Sequence, residues 1–416
     1  MDVVSAVSPV FPVFPDDLRD WQSGLREQFP IIVGNPDQAY LDSAATAQKP
    51  QAVLDAVTSY LTSGNANAGR GTYPWANRTT ERIREAEQRV RRFLGDDGGG
   101  SSPGAGGGPS SGVHFVSGTT EGLRLIARDW LVGHLRDGDE IVVPLADHSA
   151  NALPWQEAVD LLGRQGVRVR VRAMPYDAAH DYDHRALATM VNERTRFIAT
   201  THVHHVYGGD MNIARIRAAA PDAVICLDAA QAVGHLPVSV TGLDVDFVVF
   251  SGHKAMALPG TGAIWAANRR GAPFTPGGWA GTPNTSGIVS LAAALDWLDD
   301  AGVDRIARWT VGLGARLTEG LRHLPAYEVL GCQRSLAAGS PVQQRHGIVT
   351  FRHRGISSND LGFILAAEGF MVRADGHCQA SGGEQDSSVR VSTHVYNTPE
   401  EIDRLVALLT GLTDGF

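Results

Sequence analysis

The sequence predicts an α/β fold organised on a mainly parallel sheet covered on both faces. Two observations carry this. Short continuous apolar runs recur along the chain: Val113–Val116 (VHFV), Glu140–Val143 (EIVV), Phe197–Thr200 (FIAT), Ala223–Leu227 (AVICL) and Asp246–Phe250 (DFVVF). Segments of helical or loop character separate them, and buried strands alternating with helices are the signature of a parallel sheet sandwiched between helical layers.

The elements follow in order. Thr79–Leu94 carries Ile83, Ala86, Val90, Phe93 and Leu94 near helical spacing on a charged background, which predicts a surface helix with one buried stripe. Gly95–Gly112 (GDDGGGSSPGAGGGPSSG) is too poor in apolar side chains to order itself and is expected to be a flexible loop. It lacks the Lys-Ser/Thr ending of a phosphate loop. After VHFV, Ser117-Gly118-Thr119-Thr120-Glu121-Gly122 opens a helix expected over Leu123–Leu131.

Bulk properties exclude several classes. The 416 residues are 43% hydrophobic and 19% charged, enough to bury a core without a disulfide or metal staple. Cys226, Cys332 and Cys378 are widely spaced with no CxxC pair, so no disulfide framework or structural zinc is expected and a reducing cytoplasm is the natural setting. A formal net charge of −9 opposes nucleic-acid binding. No run is long enough to span a bilayer. Met1–Pro15 is apolar but has no basic start and is broken by Pro9, Pro12 and Pro15, so it does not read as a signal peptide.

In parallel sheets chemistry gathers beyond the carboxyl ends of the strands, which ranks the polar residues that follow each run. Asp228 ends AVICL; as an isolated feature it is equally a helix N-cap. Lys254 follows DFVVF in Ser251-Gly252-His253-Lys254, ahead of a Gly/Pro-rich turn, and is expected to point into the crevice. Gly118–Gly122 offers amides and hydroxyls at a helix start, suited to a phosphate. His148 follows EIVVP on the same rim. Each signal alone is weak. Jointly they describe pyridoxal 5'-phosphate: a phosphate on the helix start, Asp228 at a pyridine nitrogen, Lys254 as imine to the aldehyde and His148 over the ring.

With these residues in place, the chain resembles the class V aminotransferase superfamily, and within it the type II cysteine desulfurase and selenocysteine lyase branch. The matching stretches run from about Tyr40 to Leu409: YLDSAATAQKP, SGTTEG, HSANALPWQ, THV, DAAQAVGHLPV, SGHK, GTPNT and YNTPEEIDRL. The resemblance implies the pyridoxal-phosphate transferase fold type I, with a large cofactor domain over 39–283 (containing a disordered loop 96–112) and a smaller α+β domain from 1–38 plus 284–416. It implies Lys254 as the Schiff-base lysine, Asp228 at the pyridine nitrogen, Gln231 at the ring's phenolic oxygen and His148 stacked on the ring. Thr119, Thr120, Ser251 and His253 match phosphate contacts. Thr282, within GTPNT, matches a segment that reaches the phosphate of a neighbouring subunit, which implies a homodimer. Arg390 matches the clamp for the substrate α-carboxylate, and Arg373 is expected to bind substrate with it.

In desulfurases of this branch an Arg is followed five positions later by a Cys that takes the substrate sulfur as a persulfide. Arg373-Ala-Asp-Gly-His-Cys378 has that spacing. Three features depart from the branch. Only Asn268–Ala280 stands where a sizeable hairpin usually precedes GTPNT, His205 replaces an Asn that helps hold the phenolic oxygen and is expected at the cofactor in its place, and Gln379–Ser388 is short and polar. Two enzyme readings therefore stand together. One is a cysteine desulfurase, with Cys378 as persulfide carrier and a sulfur-acceptor protein as partner. The other is a C–S lyase or deaminating enzyme on a cysteine S-conjugate, with Cys378 incidental. A non-catalytic binding protein of the same fold is a third, opposed by the intact Lys254, Asp228 and His148.

Overall fold

The computed structural model describes residues 14–69, 71–96, 111–269, 273–276, 281–331, 345–380 and 387–413. Most of the Gly-rich stretch 95–112 and of the short interval 268–280 lies outside them. Seven strands form the main sheet: β1 Gly112–Val116, β2 Glu140–Val143, β3 Arg170–Ala173, β4 Thr195–Thr201, β5 Val224–Asp228, β6 Phe247–Ser251 and β7 Gly262–Ala266. Their spatial order is β1-β7-β6-β5-β4-β2-β3. The pairs β2/β3, β2/β4, β4/β5 and β5/β6 are parallel, whereas β7 runs antiparallel to both β6 and β1. The mainly parallel α/β sheet expected from the sequence is present, and all five apolar runs fall on strands.

Alternation along each strand explains the two covering layers. Ile141, Val143, Phe197, Ala199 and Val249 share one core with Leu123, Trp130 and Trp155. Val142, Ile198, Ile225, Leu227, Val248 and Phe250 point the other way, into a core with Val53, Val90, Leu291 and Leu295. Continuous apolar runs are thus required because both faces are dry.

Two strands escaped the pattern. β3 (RVRA) is an edge strand whose Arg170 and Arg172 reach Glu140 at 3.3 and 3.1 Å, so charge rather than burial shapes it. β7 (GAIWA) is fully buried but follows directly on a turn-rich stretch. Helix boundaries also moved. The surface helix begins five residues early, at Pro74, and runs to Phe93. The helix after β1 starts at Thr119 and turns π-helical over Ile126–Leu131.

The second sheet holds β8 Tyr327–Leu330, β9 Ile348–His353, β10 Arg373–Asp375 and β11 Ser388–Ser392, antiparallel in the order β10-β11-β9-β8. Leu313, Leu317, Phe351, Leu365, Val389, Ile402 and Leu405 make its core, with Leu18 and Trp21 from the first described helix packed on it. Helix Thr285–Ala301, at the start of the C-terminal segment, packs its Ile288, Leu291 and Leu295 into the core of the main sheet. Around the Asp42–Ser392 bridge, Ser392 N donates to the Leu41 carbonyl and Ser43 N donates to the Ser392 carbonyl, which brings the end of β11 against the mouth of the main sheet. Among the described residues no helix is long and apolar enough to cross a membrane.

Glycine matters at two close approaches. A Cβ on Gly122 would stand 2.5 Å from Val249 Cγ1, and one on Gly262 would stand 2.4 Å from the Phe250 carbonyl. The bare backbone lets the helix start at Thr119 settle onto β6 and β7.

Candidate active site

The connection from β2 leads to β3 on one side and that from β4 leads to β5 on the other, which opens a crevice at the strand ends between β2 and β4. A cavity of about 250 Å³ occupies this place, lined among others by Thr119, Thr120, His148, His205, Asp228, Gln231, Ser251, His253, Lys254, Arg373 and Arg390. Eleven of the thirteen site residues expected from the sequence thus converge. Thr282 and Cys378 do not line the cavity, and both are exposed.

Lys254 ends a 3-10 turn, Gly252–Lys254, that follows β6. Burial, with help from Arg390 and Arg373, lowers its ammonium to about 8, while Asp228 pulls the other way. Asp228 sits at the end of β5, where burial raises its carboxyl to about 6; its Oδ1 accepts from Ala230 N at 2.9 Å. The Gln231 amide donates to the Ala44 carbonyl at 2.8 Å, leaving its Oε1 buried with no hydrogen-bond partner in the chain. Such an orphan acceptor asks for a donor from a bound molecule.

At the helix start, the Thr119 amide donates to Ser251 Oγ at 2.9 Å, and the two hydroxyls lie 2.8 Å apart. Thr120 is exposed at the mouth. His253 is lowered to about 4 by burial and by Lys254, so it lines the pocket as a neutral ring.

His148 Nδ1 accepts from Ala150 N at 3.1 Å, which leaves the proton of the neutral ring on Nε2. Burial and Lys254 push this histidine down to about 4. Behind it, Asp147 is fully buried and accepts from the hydroxyls of Tyr176 (2.6 Å) and Tyr182 (2.8 Å), with His204 Nε2 at 3.1 Å. Burial opposes the Asp147 charge, but His204 and the hydroxyl outweigh it and hold the carboxyl low.

Arg390 enters from β11 and is buried. It donates through Nη1 to the His205 carbonyl and through Nη2 to Asp42 Oδ1, both at 3.0 Å, and its Nε has no partner. Arg373 enters from β10, chelates Asp375 at 2.9 Å, and donates to Cys378 Sγ at 3.1 Å. Three cations (Lys254, Arg373 and Arg390) face one carboxylate (Asp228) in the lining, a field that attracts anions. His377, next to Cys378 in the sequence, lines the cavity too, whereas Asp42, which holds Arg390, was not singled out in the sequence because its partner is 348 positions away.

The aminotransferase class-V family matches residues 39–405. The cysteine desulfurase of Cronobacter sakazakii is 33% identical, with 92% of this chain and 96% of that protein aligned. The cysteine desulfurase of Salmonella typhimurium is likewise 33% identical, over 93% and 97%. Among solved structures, the apo cysteine desulfurase of Thermococcus onnurineus superposes with a TM-score of 0.81 at 25% identity, covering 98% of this chain and 100% of that one. The cysteine desulfurase CsdA of Escherichia coli, in an S-sulfonic acid form, gives 0.77 at 28%, covering 96% and 98%.

Proposed function

Because the chain belongs to the aminotransferase class-V family, we propose that it is a pyridoxal-phosphate-dependent cysteine desulfurase that removes sulfur from L-cysteine and leaves alanine. Relatives that bear the name cysteine desulfurase align over nearly the whole chain. The observation that carries the reading is the 3.1 Å contact from the Arg373 guanidinium to Cys378 Sγ, in a loop bonded to the His148 segment.

The residues fit the cofactor. Lys254 would hold it covalently, Asp228 would face its ring nitrogen, and the orphaned Gln231 Oε1 would accept from its ring substituent. His148 would cover the ring, and Thr119, Thr120, Ser251 and His253 would take the phosphate. Asp228 gains most, since a cationic ring nitrogen would offset the burial that raises its carboxyl to about 6. Pyridoxal 5'-phosphate supplies an electron sink for the pair released at the substrate α-carbon.

The chain's own groups supply the rest. Arg390 orients the α-carboxylate, and its unpartnered Nε is a donor still to be used. Lys254, with an amine lowered to about 8, is poised to move the α-proton near neutral pH. Arg373 donates to Cys378 Sγ and orients it. Cys378 Sγ then bonds to the substrate sulfur as the Cβ–S bond breaks. The bonding pair stays on Cβ, which takes a proton to complete alanine. The two sulfurs are oxidised to the persulfide level as the carbon is reduced, so no external reductant enters this step. A sulfur-acceptor protein would discharge the exposed persulfide.

We also propose a cytoplasmic homodimer. Thr282 is exposed and outside its own chain's cavity, as expected of a segment that completes a second copy's phosphate site. A fully active monomer in sedimentation would contradict this.

One observation favours the lyase reading: Cys378 is exposed and outside the lining, and elimination of thiolate needs no nucleophilic sulfur. Incubation with L-cysteine and with an S-substituted cysteine separates the two. The desulfurase releases alanine and carries a persulfide on Cys378 trapped by alkylation and mass spectrometry, and Cys378→Ala releases none. Pyruvate from the S-conjugate, with Cys378→Ala fully active, would overturn the desulfurase.

A further inference from the structure

His205 touches three parts of the site at once. Its Nε2 lies 3.0 Å from the His377 carbonyl, its own carbonyl accepts from Arg390 Nη1 at 3.0 Å, and its ring stands 5.1 Å from that of His148 at 74°. A carbonyl only accepts, so Nε2 carries the proton. Burial, with His204 and His148 beside it, keeps the ring neutral, so Nδ1 has only a lone pair to offer. An ionised ring oxygen on a cofactor also only accepts, so neither nitrogen of His205 is suited to hold one.

The partner of Nε2–H is unusual in its own right. His377 and Cys378 are consecutive side-chain-bearing residues with positive φ, 54° and 61°, a conformation that persists only where surrounding contacts enforce it. Several bonds do so. The His377 amide donates to Asp375 Oδ1 at 2.6 Å, and its Nε2 lies 2.9 Å from Ser388 Oγ, both within the second sheet. From across the crevice come Ser149 N to the Cys378 carbonyl at 3.1 Å and, one turn on, Ala380 N to the Asp147 carbonyl at 2.9 Å. Among the described hydrogen bonds to His377 and Cys378, the one made by a side chain of the main-sheet half is that of His205.

We propose that His205 is a positioning residue that seats the Cys378 loop over the pocket through Nε2–H to the His377 carbonyl, and does not hold the cofactor ring. Its consequence for sulfur transfer rests on the desulfurase reading; the docking of the loop does not. Because Arg390 bonds the backbone of residue 205, replacing the side chain leaves the carboxylate clamp its partner and should act on kcat rather than KM.

The test is hydrogen exchange on the holoenzyme, read in peptides covering 147–151 and 373–380, beside alanine release from L-cysteine. His205→Phe keeps a ring without a donor and should raise exchange in both peptides about tenfold, the equivalent of one lost hydrogen bond. Its kcat for alanine should fall at least as far, with KM and borohydride-locked cofactor unchanged. His205→Gln, whose amide can donate, should restore both readouts to within a few-fold of wild type. Should His205→Phe hold cofactor poorly, His205→Ala gives the same comparison. Wild-type exchange in both donor-free variants, or equal impairment in His205→Gln, would overturn the proposal. If the wild type releases no alanine, the desulfurase reading falls and the exchange measurement alone decides the role of His205.

Discussion

The floor of the pocket and its rim are built on different principles. Lys254, Asp228 and Ser251 stand at the ends of β5 and β6, strands buried on both faces, so their positions are set by the sheet. Arg373, His377 and Cys378 stand on β10 and the loop after it, held by hydrogen bonds from Asp375, Ser388, His205 and Ser149. Packing fixes the floor; a handful of polar contacts, two of them on left-handed residues, fix the rim. The contrast suits the proposed chemistry. The cofactor needs a rigid cradle, whereas a thiol that takes sulfur at one station and gives it up at another needs a seat it can leave.

The sharpest break of this comparison is Lys254→Ala. The floor has one amine at its centre, so covalent capture of pyridoxal phosphate should vanish entirely, read as the absence of borohydride-locked cofactor on the peptide that contains residue 254. Locked cofactor on another lysine would show that the floor does not centre on Lys254.

Next in size is Arg390→Ala, which removes one buried link between the two regions. It should lower kcat/KM by about 2–5 kcal/mol through the lost charge-assisted pair and leave cofactor capture intact. Unchanged kinetics would take Arg390 out of the substrate site.

A smaller effect is expected from Gly122→Ala, which touches only the floor. The added Cβ, 2.5 Å from Val249 Cγ1, should destabilise the protein by about 1–3 kcal/mol, read from the urea midpoint. A neutral result would mean that the helix start at Thr119 is free to shift, and the rigid-floor view would fail.

The smallest is a pH effect on the apoprotein. An amine lowered to about 8 is protonated below that pH, so the nucleophilic fraction drops as pH falls. The rate of cofactor capture should rise about tenfold per unit up to pH 8 and level off above it, a slope worth about 1.4 kcal/mol per unit. A rise continuing to pH 10 would place Lys254 in a more solvated setting than the strand end described.

The same division separates what was legible in the sequence from what was not. Continuous apolar runs marked β1, β2, β4, β5 and β6, and strand ends rank the residues beyond them, which singled out Asp228, Lys254, His148 and Thr119, whereas Ser251 entered through the family resemblance. β3 was missed because charge, not burial, governs an edge strand. The Arg373–Cys378 spacing was visible because both residues sit within six positions. Tertiary structure alone decided that Arg390 meets Asp42 from 348 positions away, that its second hand rests on the carbonyl of His205, and that His205 Nε2 comes to lie 3.0 Å from the His377 carbonyl. A hydrophobic period reports which face of a strand is dry. It carries no record of which polar atom from a distant segment will arrive there, because that follows from how two sheets dock.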